Sequence, residues 1–162
     1  MKALVVYESA WGNTKAVAEA VAEGLSTQLE TEVRAVQDVP PPAELQVDLL
    51  VVGGPTHAFG LSREGTREDA HRRGGELIPT GLREWLETGP VDLPAAAFDT
   101  HVRHPDLPGH AGKKAAKKLR KLGCHPVTDP ETFYVDGYEG PLLPGELERA
   151  REWGDGLTRG DW

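Results

Sequence analysis

The uncharged segment Ser9-Ala10-Trp11-Gly12-Asn13-Thr14 has residue types that suit a phosphate. It joins an apolar, β-rich run to a segment of helical pattern. A helix N-terminus offers unpaired backbone N–H groups and a partial positive charge, so such a junction can hold an anion without a cation. Gly12 lets the backbone curl around the anion, while Ser9, Asn13 and Thr14 can add side-chain donors. The Walker spacing G-x-x-x-x-G-K-[ST] is absent, and so is the dinucleotide pattern G-x-G-x-x-G. An ordinary strand–helix turn capped by Thr14 or Asn13 has the same spacing.

Two further segments follow apolar runs. Gly54-Pro55-Thr56-His57-Ala58-Phe59-Gly60 follows the third, and a glycine–proline turn with an exposed aromatic accounts for it taken alone. Asp99-Thr100-His101-Val102-Arg103-His104 follows the fourth. His101, His104, Asp106 and His110 have the ligand types for zinc, but Pro105 and Pro108 break the segment that carries them. Cys124 follows a helix end, where partial negative charge disfavours a thiolate, so a packed thiol is expected. Lys113, Lys114, Lys117, Lys118, Arg120 and Lys121 lie opposite an apolar stripe. They read as a solvated helix face, or as a docking patch for an acidic partner or for nucleotide phosphates.

The elements that position these segments alternate between two periods. Residues 2–7, 32–36, 47–52 and 95–98 read as short strands, and a fifth lies within residues 125–135, interrupted at Asp129-Pro130. The first is continuously apolar, as expected of a strand covered on both faces. Helical spacing covers residues 14–25, with Val17, Val21 and Leu25 inward and Gly24 weakening the last turn. It returns at 80–88 (Leu82, Trp85, Leu86), at 112–122 (Ala115, Leu119, Leu122, stopped by Gly123) and at 145–157 (Leu147, Ala150, Leu157). Residues 60–76 are polar and glycine-rich, a long loop or loosely helical excursion that could wall a pocket. The pattern is that of an α/β doubly wound parallel sheet, which binds ligands at the carboxyl ends of its strands.

The 162 residues suit one domain, 1–162, large enough to fold without a metal or disulfide, and the single cysteine fits a reducing compartment. No secretory h-region or membrane-length apolar window occurs, so a cytoplasmic protein with no membrane partner is expected. The net charge of −8 argues against nucleic-acid binding, and it suits solubility or docking on a basic partner.

Tyr7-Glu8-Ser9-Ala10-Trp11-Gly12-Asn13-Thr14 resembles the phosphate-loop signature of flavodoxins: tyrosine, glycine, serine, threonine, threonine, glycine, asparagine, threonine. Ser9, Gly12, Asn13 and Thr14 match, whereas Ala10 and Trp11 replace two hydroxyl residues. The second segment is similar to the flavin loop of that family, in which a proline–threonine pair precedes an aromatic. The resemblance implies a three-layer flavodoxin-like fold, a five-stranded parallel sheet in the order 2-1-3-4-5, and one noncovalent FMN. The cofactor would lie against Ser9, Ala10, Trp11, Gly12, Asn13 and Thr14, then Pro55, Thr56, His57, Ala58, Phe59 and Gly60, then Asp99, Thr100, His101, Val102 and Arg103. Phe59 or His57 would cover the ring and Thr56 would donate to it. His101 would stand in for the family's outer aromatic, and Arg103 would favour the anionic reduced flavin. The stretches Thr66-Arg67-Glu68-Asp69-Ala70 and Gly81-Leu82-Arg83-Glu84-Trp85-Leu86 resemble an actinobacterial subgroup of flavodoxin domains. The implied role is electron transfer between a reductase and an acceptor protein. The alternatives are an FMN-dependent oxidoreductase of the quinone reductase type and an FMN-free interaction module.

Overall fold

The apolar runs at residues 3–6 and 49–52 lie side by side at the centre of a parallel sheet. The computed structural model describes residues 1–57, 59–103, 107–137 and 139–160. Strands β1 (Lys2–Tyr7), β2 (Glu30–Ala35), β3 (Leu49–Pro55), β4 (Pro94–Val102), β5 (His125–Pro126) and β6 (Glu131–Val135) form one sheet in the order β2-β1-β3-β4-β5, with β6 also pairing β4. Every pairing between these strands is parallel. The helices are α1 (Asn13–Leu25), α2 (Glu64–Arg72), α3 (Leu82–Trp85), α4 (Ala111–Leu122) and α5 (Glu146–Leu157).

Side chains alternate across a strand, so each central strand feeds two cores. Leu4, Val6, Leu50, Val52, Ala95 and Ala97 pack against α3 and α4. Ala3, Val5, Leu49, Val51, Ala96 and Phe98 pack against α1 and α5. Three layers result, as the sequence pattern requires.

The helix predicted over 112–122 is present, and Gly123 ends it in the left-handed region at φ 113°. The fifth strand position is shared by β5 and β6, which flank Asp129-Pro130. The excursion at 60–76 contains a regular helix, α2. The helix expected over 80–88 shrinks to the four residues of α3. Leu147, expected to point inward on α5, is 42% exposed, while Ala150 and Leu157 are buried. Gly24 has a packing role: a Cβ there would collide with the Arg151 carbonyl of α5, and one on Gly154 would collide with the Val21 carbonyl of α1. The two glycines let these helices touch backbone to backbone.

Strand β4 brings the largest correction. The sequence pattern ends it at Phe98, but it continues to Val102. Asp99, Thr100, His101 and Val102 therefore belong to a strand, and only Arg103 begins the loop. Polar side chains persist in this buried strand because each finds a tertiary partner.

Candidate functional site

Helices α1 and α4 begin next to the segments singled out in the sequence, and their N-termini are treated differently. The first amides of any helix lack an intrahelical acceptor. At α4 they are satisfied from elsewhere: Ala111 N–H donates to Thr56 Oγ1 (3.1 Å) and Gly112 N–H to Asp99 Oδ2 (2.8 Å). At α1 the residue before the helix is Gly12 at φ 91°, with no side-chain cap and no acidic residue in the first turn. Among the described residues, no hydrogen bond engages the N–H groups of Asn13, Thr14 or Lys15. The partial positive charge at the start of α1 is thus left uncompensated.

The capping turn by Thr14 or Asn13, weighed as the plain reading of this segment, is not formed. Gly12 N–H instead donates to Ser9 Oγ (3.0 Å), which holds the turn. Asn13 Nδ2 donates to the Glu139 carbonyl (3.0 Å), tying the loop to the connection after β6. Thr14 Oγ1 lies 2.8 Å from Thr100 Oγ1, a buried pair joining α1 to the end of β4. The expected side-chain donors therefore shape the loop, and the open donors are backbone amides. Trp11 packs against Ala10, Ala70 and Ile78, and its buried Nε1 has no acceptor among the described residues.

A cleft of about 30 Å³ gathers the three segments singled out in the sequence. Ser9, Ala10, Trp11, Asn13 and Thr14 line one wall, Pro55, Thr56 and His57 a second, and Thr100, His101 and Val102 a third, with Val135 beside it. Gly12 faces an adjoining groove shared with Trp11, Lys15, Asp38 and Glu76. Ala58 and His104 fall outside the described residues, as do Pro105 and Asp106.

Several expected roles need revision. His57 is 4% exposed, with Nδ1 3.3 Å from Thr66 Oγ1. Burial, and then the Arg67 charge, lower its pKa from 6.5 to about 4, against an opposing pull from Asp69. It is a neutral wall residue rather than an exposed ring cover. Phe59 is 55% exposed, adopts φ 73° and does not line the cleft. His101 is buried, with Nδ1 2.6 Å from the Val102 carbonyl and Nε2 3.1 Å from the Gly109 carbonyl. It stacks on His110 at 4.6 Å between ring centroids, so its ring is packed inward at the cleft wall rather than exposed on an outer face. The Arg103 guanidinium lies over the Tyr134 ring at 5.2 Å, outside the cleft lining. Asp99 is fully buried behind the wall, where burial raises its pKa against the Gly112 amide and the two histidines. No group of three or more His, Cys, Asp or Glu able to hold a metal occurs among the described residues. Two members of the possible zinc set, His104 and Asp106, lie outside them.

One buried constellation gives no sign in the sequence. Glu8 is 1% exposed, and its Oε1 accepts from Leu82 N–H at 2.7 Å. Arg67, also buried, pairs with Glu84 at 2.9 Å and donates to Ser62 Oγ at 3.0 Å. Burial raises the Glu8 pKa despite the Arg67 charge. The network ties the end of β1 to α2 and α3, and so fixes the base of the phosphate-type loop. Its partners lie 54–76 residues from Glu8 along the chain, beyond the reach of any local pattern.

The flavodoxin family model matches residues 5–78, which span β1 through α2. No curated protein sequence matches the chain significantly. Among solved structures, a flavodoxin from the domain Archaea superposes with a TM-score of 0.70 at 23% identity, covering 98% of this chain and 96% of that one. Oxidised flavodoxin 1 from Bacillus cereus gives 0.70 at 19% identity, covering 98% of each chain. Two-electron reduced Megasphaera elsdenii flavodoxin gives 0.60 at 14%, covering 97% and 98%. Residues 5–78 thus match the flavodoxin family, and the chain as a whole carries the flavodoxin fold.

Proposed function

We propose that the start of α1, where the cleft opens beside a groove of about 410 Å³ lined by Ser9, Trp11, Gly12 and Lys15, holds a noncovalent FMN and that the protein transfers electrons between a reductase and an acceptor protein. The observation that carries this reading is the contrast between the two helix N-termini. The one at α4 is filled by Thr56 and Asp99, and the one at α1 is open. Three amides and a helix dipole suit a phosphate, and the turn has no carboxylate to repel one. A Cβ on Gly12 would meet nothing within 4 Å, so the turn is unobstructed. These features fit the phosphate of FMN. The solved flavodoxins of the same fold, one oxidised and one two-electron reduced, support a redox role.

When bound, the flavin would supply the redox chemistry, and the protein would supply position and electrostatics. Asn13, Thr14 and Lys15 would orient the phosphate through their amides. Thr56, whose hydroxyl oxygen accepts from Ala111, keeps its own proton to donate into the cleft. Trp11 and the α2 wall would keep water from one side. The FMN-dependent oxidoreductase is the second reading. It is favoured by the order of the 61–75 segment, whose Ala70 carbonyl accepts from Gly75 and whose helix packs on Ala10 and Trp11. We place the protein in the cytoplasm; no helix among the described residues is long and apolar enough to cross a membrane.

The test is the visible spectrum of the purified protein with added FMN, followed by reduction. A flavin reduced only through a reductase supports the carrier. Direct turnover of NADH or NADPH with a quinone favours the enzyme. A protein that takes up no FMN leaves only the interaction module.

A further inference from the structure

We infer that the solvent face of α4 is a docking surface for an acidic protein. Six of the chain's 18 lysines and arginines fall on this one helix of 12 residues, which carries no acid. The protein as a whole has a net charge of −8, so the helix is a local reversal of sign. Lys113, Lys117, Arg120 and Lys121 are exposed and form no ion pair among the described residues. Lys118 pairs with Glu87 at 2.7 Å. A helix face kept only for solubility gains from mixed signs, and this one has a single sign.

The helix also has a direction. Its first turn starts at the cleft, where Thr56 and Asp99 cap it. Phe59 is exposed (55%) close to that turn, and Leu107, exposed at 48%, precedes the helix by four residues in sequence. Gly109 packs directly on the Phe59 backbone, and a Cβ on Gly60 would stand 3.6 Å from Lys114 Cγ. The exposed Phe59 thus adjoins the start of the basic helix at Lys114, an apolar group beside a charged face, as in a transient protein interface. Carboxylates on the partner would meet the lysines while an apolar patch covered Phe59 and Leu107. On the electron-transfer reading proposed above, the partner is an acidic electron carrier; docking itself does not require that reading.

The sign of the salt dependence gives a direct test. Two proteins of net negative charge repel at long range, so net charge alone predicts tighter association as salt rises. Docking on α4 predicts the reverse. The experiment is an NMR titration of the 15N-labelled protein, with and without FMN, against a purified acidic [2Fe–2S] ferredoxin at low and high salt. The expected result is shifts confined to α4, Phe59 and Leu107, with an affinity that falls as salt rises. The combined variant Lys113→Glu, Lys117→Glu, Arg120→Glu, Lys121→Glu should lose about tenfold or more in affinity, and the matching alanine variant should lose less. An unchanged thermal melt and an unchanged FMN affinity in both variants separate docking from folding and from the cofactor reading. No binding at low salt overturns the inference. So do shifts on another face, an affinity that rises with salt, or tighter binding of NADPH or duplex DNA to the same residues.

Discussion

Replacing Ser9 by aspartate should move stability and FMN affinity in opposite directions. Ser9 Oγ already accepts from Gly12 N–H at 3.0 Å, so a carboxylate at this position would sit at the uncapped start of α1. A negative charge at a helix N-terminus stabilises by about 0.3–1 kcal/mol. For a chain of this size that raises the melting temperature of the FMN-free protein by about 1–3 °C. The same charge would oppose a phosphate dianion. For charges about 5 Å apart at an effective dielectric of about 40, the repulsion is about 3 kcal/mol, more than a hundredfold in Kd. Ser9→Asn provides the control, because its amide oxygen can accept the same Gly12 N–H without charge, and it should stay within about tenfold of the parent in affinity. The assays are differential scanning calorimetry of the FMN-free proteins and quenching of FMN fluorescence, at low salt and at about 1 M salt, where screening should recover part of the lost affinity. An aspartate variant that binds FMN like the parent would refute the anion site at α1. One that melts lower would refute the uncompensated helix terminus.

Three other outcomes follow from the buried groups and the close helix contact. His57, at a pKa of about 4, resists protonation in the folded state while the unfolded chain takes up a proton near 6.5. Stability relative to His57→Gln should therefore be full above pH 6.5 and fall by about 3 kcal/mol as the pH drops to 4, read by urea unfolding at several pH values. Glu8 has the opposite sign: its raised pKa means the folded state holds the proton more tightly, so its contribution is greatest at low pH and is lost as the pH rises through the folded value. Glu8→Gln should flatten that fall and leave the protein at least as stable at pH 8, whereas a large loss there would show that the charged carboxylate is needed. Gly154→Ala pushes a methyl into the Val21 carbonyl and should cost about 2 kcal/mol, lowering the melting temperature by about 4–8 °C.

What the sequence conveyed about this fold was whatever depends on near neighbours. The strand at residues 2–7 and the stripe Ala115–Leu119–Leu122 with its Gly123 stop are local patterns, and they stand where the spacing put them. The three segments at the strand ends were legible for the same reason, and the cleft draws on all three. The end of β4 was not, because Asp99, Thr100 and His101 look like loop residues until Gly112, Thr14 and Gly109 supply partners. Burial of His101 beneath the surface, and of Glu8 against Leu82, depends on the same long-range closure. Leu147 fitted the helical period of α5 but lies in its first turn and stays 42% exposed, since a stripe gives the face and not the extent of the neighbour.

Binding of a phosphate at the start of α1 is tested most directly by paired titrations of the FMN-free protein with FMN and with riboflavin. The two ligands share the ring and differ only in the phosphate. The open amides of Asn13, Thr14 and Lys15 predict that FMN binds about a hundredfold or more tighter than riboflavin, with the difference lost in Ser9→Asp. Equal affinity for the two, or no affinity for either, would contradict it.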